Sequence, residues 1–103
     1  MSDLELERGT TGDDELLVAV RGEIDMASAP QLRELLETAI AAGVTRVVLD
    51  CRGLEFLDSS GIGVLVAARK RLGEGGELVI DSPPAHVRKV LDITGVGDHL
   101  TVR

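Results

Sequence analysis

Four consecutive residues, Asp58-Ser59-Ser60-Gly61, have the types and spacing most suited to chemistry in this 103-residue chain. Two hydroxyls beside a carboxylate, followed by Gly61 and Gly63, stand where a helical pattern begins. A helix N-terminus leaves about four backbone N–H groups without intrahelical partners and carries partial positive charge, so it suits a phosphate or a carboxylate. Glycine inside a helix costs roughly 0.5–1 kcal/mol against alanine, so two in one turn need a reason. On the residues alone two readings stand. In one, Asp58 or a serine caps the helix and the glycines let it pack tightly on a neighbour. In the other, a phosphate carried by one of the serines approaches the backbone.

Other chemistries fit less well. Ser59 and Ser60 are possible nucleophiles and His86 and His99 possible bases. However, Gly-x-Ser-x-Gly is missing, and the histidines fall at the start of a third helix and on a last strand, so no triad is assigned. A dinucleotide-type loop fails because Val66 stands where its third glycine belongs, and no Gly-Lys-Ser/Thr is present. Two histidines and one cysteine show no metal-ligand spacing. Glu23, Asp25, Asp50 and Asp58 suggest an acidic rim at one sheet end, with a magnesium site as the rival reading. Cys51, after Val47-Val48-Leu49-Asp50, reads as a small core residue. No catalytic residue, metal or cofactor is assigned.

Composition narrows the partners. Hydrophobic residues make up 44% of the chain, enough for one compact domain over residues 1–103. Phe56 is the only aromatic, so the core must be aliphatic and nothing offers a stacking platform for bases. Eighteen acidic against eleven basic residues give a net charge of −7, which disfavours nucleic acid and anionic lipid. A lone cysteine excludes an intramolecular disulfide. With no export signal, and no apolar run near the ~20 residues of a membrane span, the chain reads as cytoplasmic.

The elements that must position Asp58-Ser59-Ser60-Gly61 follow from periodicity. Leu4-Glu5-Leu6-Glu7 alternates as a half-buried strand. A six-residue turn, Gly9-Thr10-Thr11-Gly12-Asp13-Asp14, joins it as a hairpin to Leu16-Leu17-Val18-Ala19-Val20. Ser28 as N-cap and Pro30 in the first turn open a helix whose inner face is Ala29, Leu32, Leu35, Leu36, Ala39 and Ile40. Val47-Val48-Leu49 reads as a central strand buried on both faces, followed by a loop over 52–57 and a second helix from Asp58 to about Leu72. Leu78-Val79-Ile80 is the next strand, parallel to the first of this pair through a right-handed crossover. A third helix starts at Ser82-Pro83-Pro84 and packs through Val87, Val90, Leu91 and Thr94, before a last strand over His99-Leu100-Thr101-Val102. The fold class is α/β: a mixed sheet of about five strands with helices packed against it.

Gly22-Glu23-Ile24-Asp25, then Val47-Val48-Leu49-Asp50, then Phe56-Leu57-Asp58-Ser59-Ser60-Gly61-Ile62-Gly63, resembles the bacterial anti-sigma factor antagonists with a STAS domain. Val90-Leu91-Asp92-Ile93-Thr94-Gly95 is similar to that family's third-helix signature. The likeness runs from about residue 4 to the end. It implies a protein that binds an anti-sigma factor serine kinase, frees a sigma factor for transcription, and is inactivated by phosphorylation at Ser59, a phosphatase resetting the cycle. It also implies a partner-binding face made of Asp25, Asp58, Ser60, Gly61, Ile62, Gly63 and Val64. By helical spacing Val64, Ala67 and Arg71 fall on a different face from the inner stripe Leu65, Ala68 and Leu72, so Val64 reads either as an exposed apolar contact or as a buried residue. Members of this type usually continue into a C-terminal helix, whereas this chain stops at Arg103. STAS domains also serve as regulatory or scaffold parts of stress-sensing and transport complexes, the alternative reading.

Overall fold

The computed structural model describes residues 3–103. Strand β1 (Leu4–Gly12) folds back antiparallel on β2 (Glu15–Ile24). Pairing continues to Gly12 and Glu15, so the hairpin closes through Asp13 and Asp14 and the expected six-residue turn is largely strand. Helix α1 (Ala29–Ala41) then leads to β3 (Arg46–Leu57), α2 (Ser59–Leu72) to β4 (Glu77–Asp81), and α3 (Ala85–Thr94) with a 3₁₀ turn (Val96–Asp98) to β5 (Thr101–Val102). The sheet order is β1-β2-β3-β4-β5, with every pair after the first parallel. The last strand is shorter than expected, because His99 ends the 3₁₀ turn instead of pairing.

Strand alternation sorts the sheet into two unlike faces. Leu16, Val18 and Val20 of β2, Val47 and Leu49 of β3, and Leu78 and Ile80 of β4 stand side by side in register. They share one apolar cluster with Leu32 and Leu36 of α1, Leu65 and Ala68 of α2, and Val87 and Leu91 of α3. All three helices therefore cover the same face, and burying each Leu, Ile or Val there contributes roughly 1.5–3 kcal/mol. Within α1, Ala29, Leu32, Leu36 and Ala39 are buried, while Leu35 and Ile40 are half-buried at the margin.

The opposite face carries charge. Arg21 on β2 reaches Glu5 and Glu7 on β1, and Arg46 on β3 bridges Glu15 on β2 and Glu77 on β4. Arg52 pairs with Asp50, and Arg103 with Asp81. Val48 and Val79 lie outside the helix-facing cluster yet are 3% and 0% exposed. Long arginine stems with hydrated heads suit that cover, since their methylenes shield apolar surface.

Strand β3 corrects the expected loop over 52–57, which continues the strand to Leu57. Its buried positions are Cys51, Leu54 and Leu57, three residues apart instead of two. Two register shifts against β2, between Ala19 and Arg21 and between Gly22 and Glu23, each give β3 one extra residue and return the next leucine to the core face. Strand β4 ends opposite Asp50, so β2 and β3 run on as a two-stranded ribbon. Along its open edge, His86 of α3 meets the Glu55 carbonyl through Nε2 at 2.6 Å. Gly22 adopts φ +100° there, and a Cβ on it would lie 2.0 Å from the Asp3 carbonyl oxygen.

The charged face sets an acid limit on stability. Hydrogen bonds from Arg46 and then Thr101 hold the Glu77 carboxyl below its ordinary 4.5, and Arg52 holds Asp50 below 3.8. Both bind protons more weakly folded than unfolded, so their contribution is complete above those ordinary values and is lost as pH falls through the lowered folded-state ones. Urea midpoints are expected to fall below about pH 4.5, and Glu77→Gln is expected to flatten part of that fall. An identical acid profile for the variant would show that this pair contributes nothing.

Candidate functional site

Ile24 and Leu57 pair at the tips of adjacent parallel strands, so the segments after them leave the sheet side by side. The carboxyl ends of parallel strands are where α/β sheets present ligand-facing loops. A backbone bond from Asp58 N–H to the Ile24 carbonyl, 3.2 Å, joins the two exits.

The first exit is a closed turn over residues 25–28. Asp25 Oδ1 accepts from the N–H groups of Ala27 at 2.9 Å and Ser28 at 3.1 Å. Asp25 N–H donates to Ser28 Oγ at 2.9 Å, and that hydroxyl donates to the Glu23 carbonyl at 2.8 Å. Ala29 N–H donates to the Asp25 carbonyl at 2.8 Å. Asp and Ser side chains that bond their own backbone build turns of this kind. Ser28 stands at the N-cap position of α1, as expected, but its hydroxyl faces back into the turn and caps nothing, and the residue is 4% exposed. Asp25 shapes the turn, while Met26 at its outer side is 79% exposed.

The second exit opens α2. Asp58 is its N-cap, in extended conformation, with Oδ1 accepting from Ser60 N–H at 2.9 Å and Gly61 N–H at 3.4 Å. Those two donors are thereby engaged, so the free N–H cradle that a phosphate would enter is occupied by the protein's own carboxylate. Ser59, the first helical residue, is exposed, and among the described residues its hydroxyl has no hydrogen-bond partner. Ser60 is half-buried.

The two glycines divide the roles that the sequence left open. A Cβ on Gly61 would lie 2.4 Å from Leu57 Cδ1 and 2.7 Å from Ile24 Cγ2, so the bare backbone lets the first turn of α2 seat on both strand tips. A Cβ on Gly63 would meet nothing within 4 Å. Gly61 therefore serves packing, and Gly63 lies exposed toward solvent.

Of the expected face, Asp25, Asp58, Ser60 and Gly63 reach the surface wholly or in part, as does the expected phosphorylation site Ser59, whereas Gly61 and Ile62 are buried. The exposed apolar role of Val64 is overturned: it is 1% exposed, in the crease where α2 packs on Leu36 and Ile40 of α1. Gly61, Val64, Leu65 and Ala68 follow the i, i+3, i+4, i+7 spacing of a single inner face, widened because α2 has both the sheet and α1 to cover. Leu72, the outer end of the expected stripe, is half-buried.

Asp50 lies inside β3 and pairs with Arg52, away from Asp25 and Asp58, so the four-carboxylate rim does not form. Among the described residues no group of three or more His, Cys, Asp or Glu could hold a metal ion. Cys51 is 3% exposed, and burial pushes its thiol up to about 12, a core residue as expected. Met26 escaped the sequence reading, although an apolar residue inside the Asp25-x-x-Ser28 turn pattern was the available signal.

The chain belongs to the STAS domain family, whose model matches residues 7–103. The anti-sigma-B factor antagonist of Bacillus subtilis (strain 168) is 33% identical over 92 residues, covering 87% of this chain and 83% of its own. The anti-sigma factor antagonist SpoIIAA in its unphosphorylated form superposes with TM-score 0.85 at 26% identity, over 96% of this chain and 88% of that one. SpoIIAA in its phosphorylated form gives TM-score 0.76 at 25% identity, over 96% and 91%.

Three variants test this geometry. Gly61→Ala is expected to cost about 1–3 kcal/mol, because the new methyl would displace Leu57 Cδ1 and press on the β-branched Ile24 side chain, while Gly63→Ala is expected to be neutral or stabilising by up to about 1 kcal/mol. Equal costs at both would refute the packing role. Val64→Glu buries an unpaired charge and is expected to remove roughly 3 kcal/mol or more, lowering Tm by on the order of 10–20 °C. A Tm unchanged from wild type would return Val64 to the surface.

Proposed function

We propose that the chain is an anti-sigma factor antagonist that binds a serine-kinase anti-sigma factor through the two adjoining turns, frees a sigma factor, and is switched off by phosphorylation of Ser59. The supporting observation is that Ser59 is exposed, its hydroxyl without a partner among the described residues, between scaffolding that does not depend on it. The turn over 25–28 is closed by Asp25 and Ser28, and α2 is capped by Asp58. Relatives named as anti-sigma factor antagonists, and a similar fold solved with and without phosphate, support the same reading. The contact face comprises Asp25, Met26, Ser59, Ser60 and Gly63, with Ile62 behind them. A phosphatase acting on phospho-Ser59 completes the cycle in the cytoplasm, without direct contact to nucleic acid or membrane.

Electrostatics gives the switch its sign. A phosphoserine carries about −1.5 to −2 charge near neutral pH. Its nearest neighbour in sequence is the Asp58 carboxylate, which already holds the Ser60 and Gly61 N–H groups. What remains favourable is the helix dipole, about 0.3–1 kcal/mol, against repulsion from Asp58 in solvent. These roughly offset in the free protein, so the fold survives. In a docked complex the phosphate must be desolvated or meet a surface shaped for a hydroxyl, which costs several kcal/mol. A loss of ~3 kcal/mol weakens affinity by about a hundredfold or more.

Incubation with ATP and the anti-sigma kinase encoded nearest its gene is expected to place one phosphate on Ser59 by mass spectrometry. Calorimetric affinity should then drop by about a hundredfold with an unchanged far-UV spectrum, and Ser59→Asp should reproduce part of that drop. Modification at Ser60 alone, no modification, or an affinity indifferent to the phosphate would refute the assignment.

A further inference from the structure

Among the described residues Met26 is the most exposed large hydrophobic side chain, 79% against 74% for Ile93 and 44% for Phe56, and the one on the turn beside Ser59. It sits two residues past Ile24, just as Ser59 sits two past Leu57, at the exits of the paired strand tips. Its backbone is held on both sides by the bonds from Ala27 and Ser28 N–H to Asp25 Oδ1, from Asp25 N–H to Ser28 Oγ, and from Ala29 N–H to the Asp25 carbonyl. The turn leaves little backbone entropy to lose on docking, and an unbranched, polarisable side chain with free rotamers can adapt its shape to a partner's apolar pocket.

Exposure also opens the sulfur to oxidants. The only other methionine, Met1, is at the start of the sequence, and tryptophan and tyrosine are absent. The single thiol, Cys51, is buried and protonated at neutral pH, which removes the thiolate that peroxides attack. Met26 is therefore the reactive soft group of the folded surface over residues 3–103.

We propose that Met26 is a second modification site on the partner-binding face, where a peroxide oxidises its thioether to the sulfoxide and weakens the complex without phosphorylation; this rests on the function proposed above. In the step, the sulfur lone pair attacks one peroxide oxygen, the O–O bond breaks, and a sulfur–oxygen bond forms. Sulfur loses two electrons to the peroxide, and the proton on the transferred oxygen passes to the second oxygen, which leaves as water, or as an alcohol from an organic peroxide. The product is polar and chiral, and burying it in a pocket shaped for a thioether forfeits the apolar gain. A methionine-sized loss predicts about tenfold weaker binding.

The test uses the full chain and the anti-sigma kinase of the phosphorylation experiment. Hydrogen peroxide is expected to add one oxygen at Met26, by mass spectrometry of the peptide that contains it, and to weaken calorimetric affinity about tenfold. Methionine sulfoxide reductase should restore it. Met26→Leu, apolar but not oxidisable, should bind like wild type and ignore peroxide. Met26→Gln should bind about tenfold more weakly at an unchanged Tm. Fully oxidised wild type that binds undiminished, or a Met26→Leu variant that loses affinity equally under peroxide, overturns the proposal. With the phosphorylation response intact, either result removes Met26 alone; untreated protein that fails to bind removes the function and this site together.

Discussion

Everything at the site depends on how closely the first turn of α2 approaches the strands beneath it. Gly61 lies against Leu57 and Ile24 at a separation no side chain would tolerate, and Asp58 N–H bonds to the Ile24 carbonyl at the same place. A helix start held at that distance from two strand tips cannot shift without pushing β2 and β3 apart. It therefore fixes Ser59 and the turn over 25–28 relative to each other. The cap from Asp58 and the internal bonds of Asp25 then set orientation within a position already determined by packing.

The rest of the molecule supplies rigidity to that contact. The ribbon that carries the site runs past β4, where a two-stranded unit would be weak by itself. It is stiffened instead from the helix side, by Leu54 and Leu57 in the core and by the contact between His86 and the Glu55 carbonyl. On the other side no helix covers the sheet, and the arginine–carboxylate pairs are partly solvated and individually weak. Arginine stems are suited to shielding Val48 and Val79, which are buried on that face.

The sequence revealed elements wherever one periodicity held. β2, α1, the core of β3, α2 and β4 all followed from spacing, and Asp58 at the helix start followed from capping chemistry. The outer half of β3 did not, because its buried residues at 51, 54 and 57 obey the bulges instead of the strand alternation, and a bulge is a property of two strands that one strand's sequence does not display. Val64 was misplaced for a related reason. How wide a buried face becomes depends on how many neighbours a helix touches, and α1 was the neighbour that decided it. The roles of Asp25 and Ser28 were hidden because their bonds are local to a turn whose geometry only the backbone reveals. Gly61 and Gly63 look alike in the sequence, and only the atoms around them tell packing from exposure.

Each of the two turns closes on itself, with its own acid and its own N–H donors, so the outward positions between them bear no folding obligation. Met26, Ala27, Ser59 and Gly63 are exposed and can drift without a stability cost to suppress the drift. After gene duplication such a scaffold can acquire a new docking preference through one or two outward substitutions while both copies keep folding. Paralogues in one cell can then be insulated from each other's partners by a handful of surface atoms, with the helix–strand contact at Gly61 untouched in either lineage.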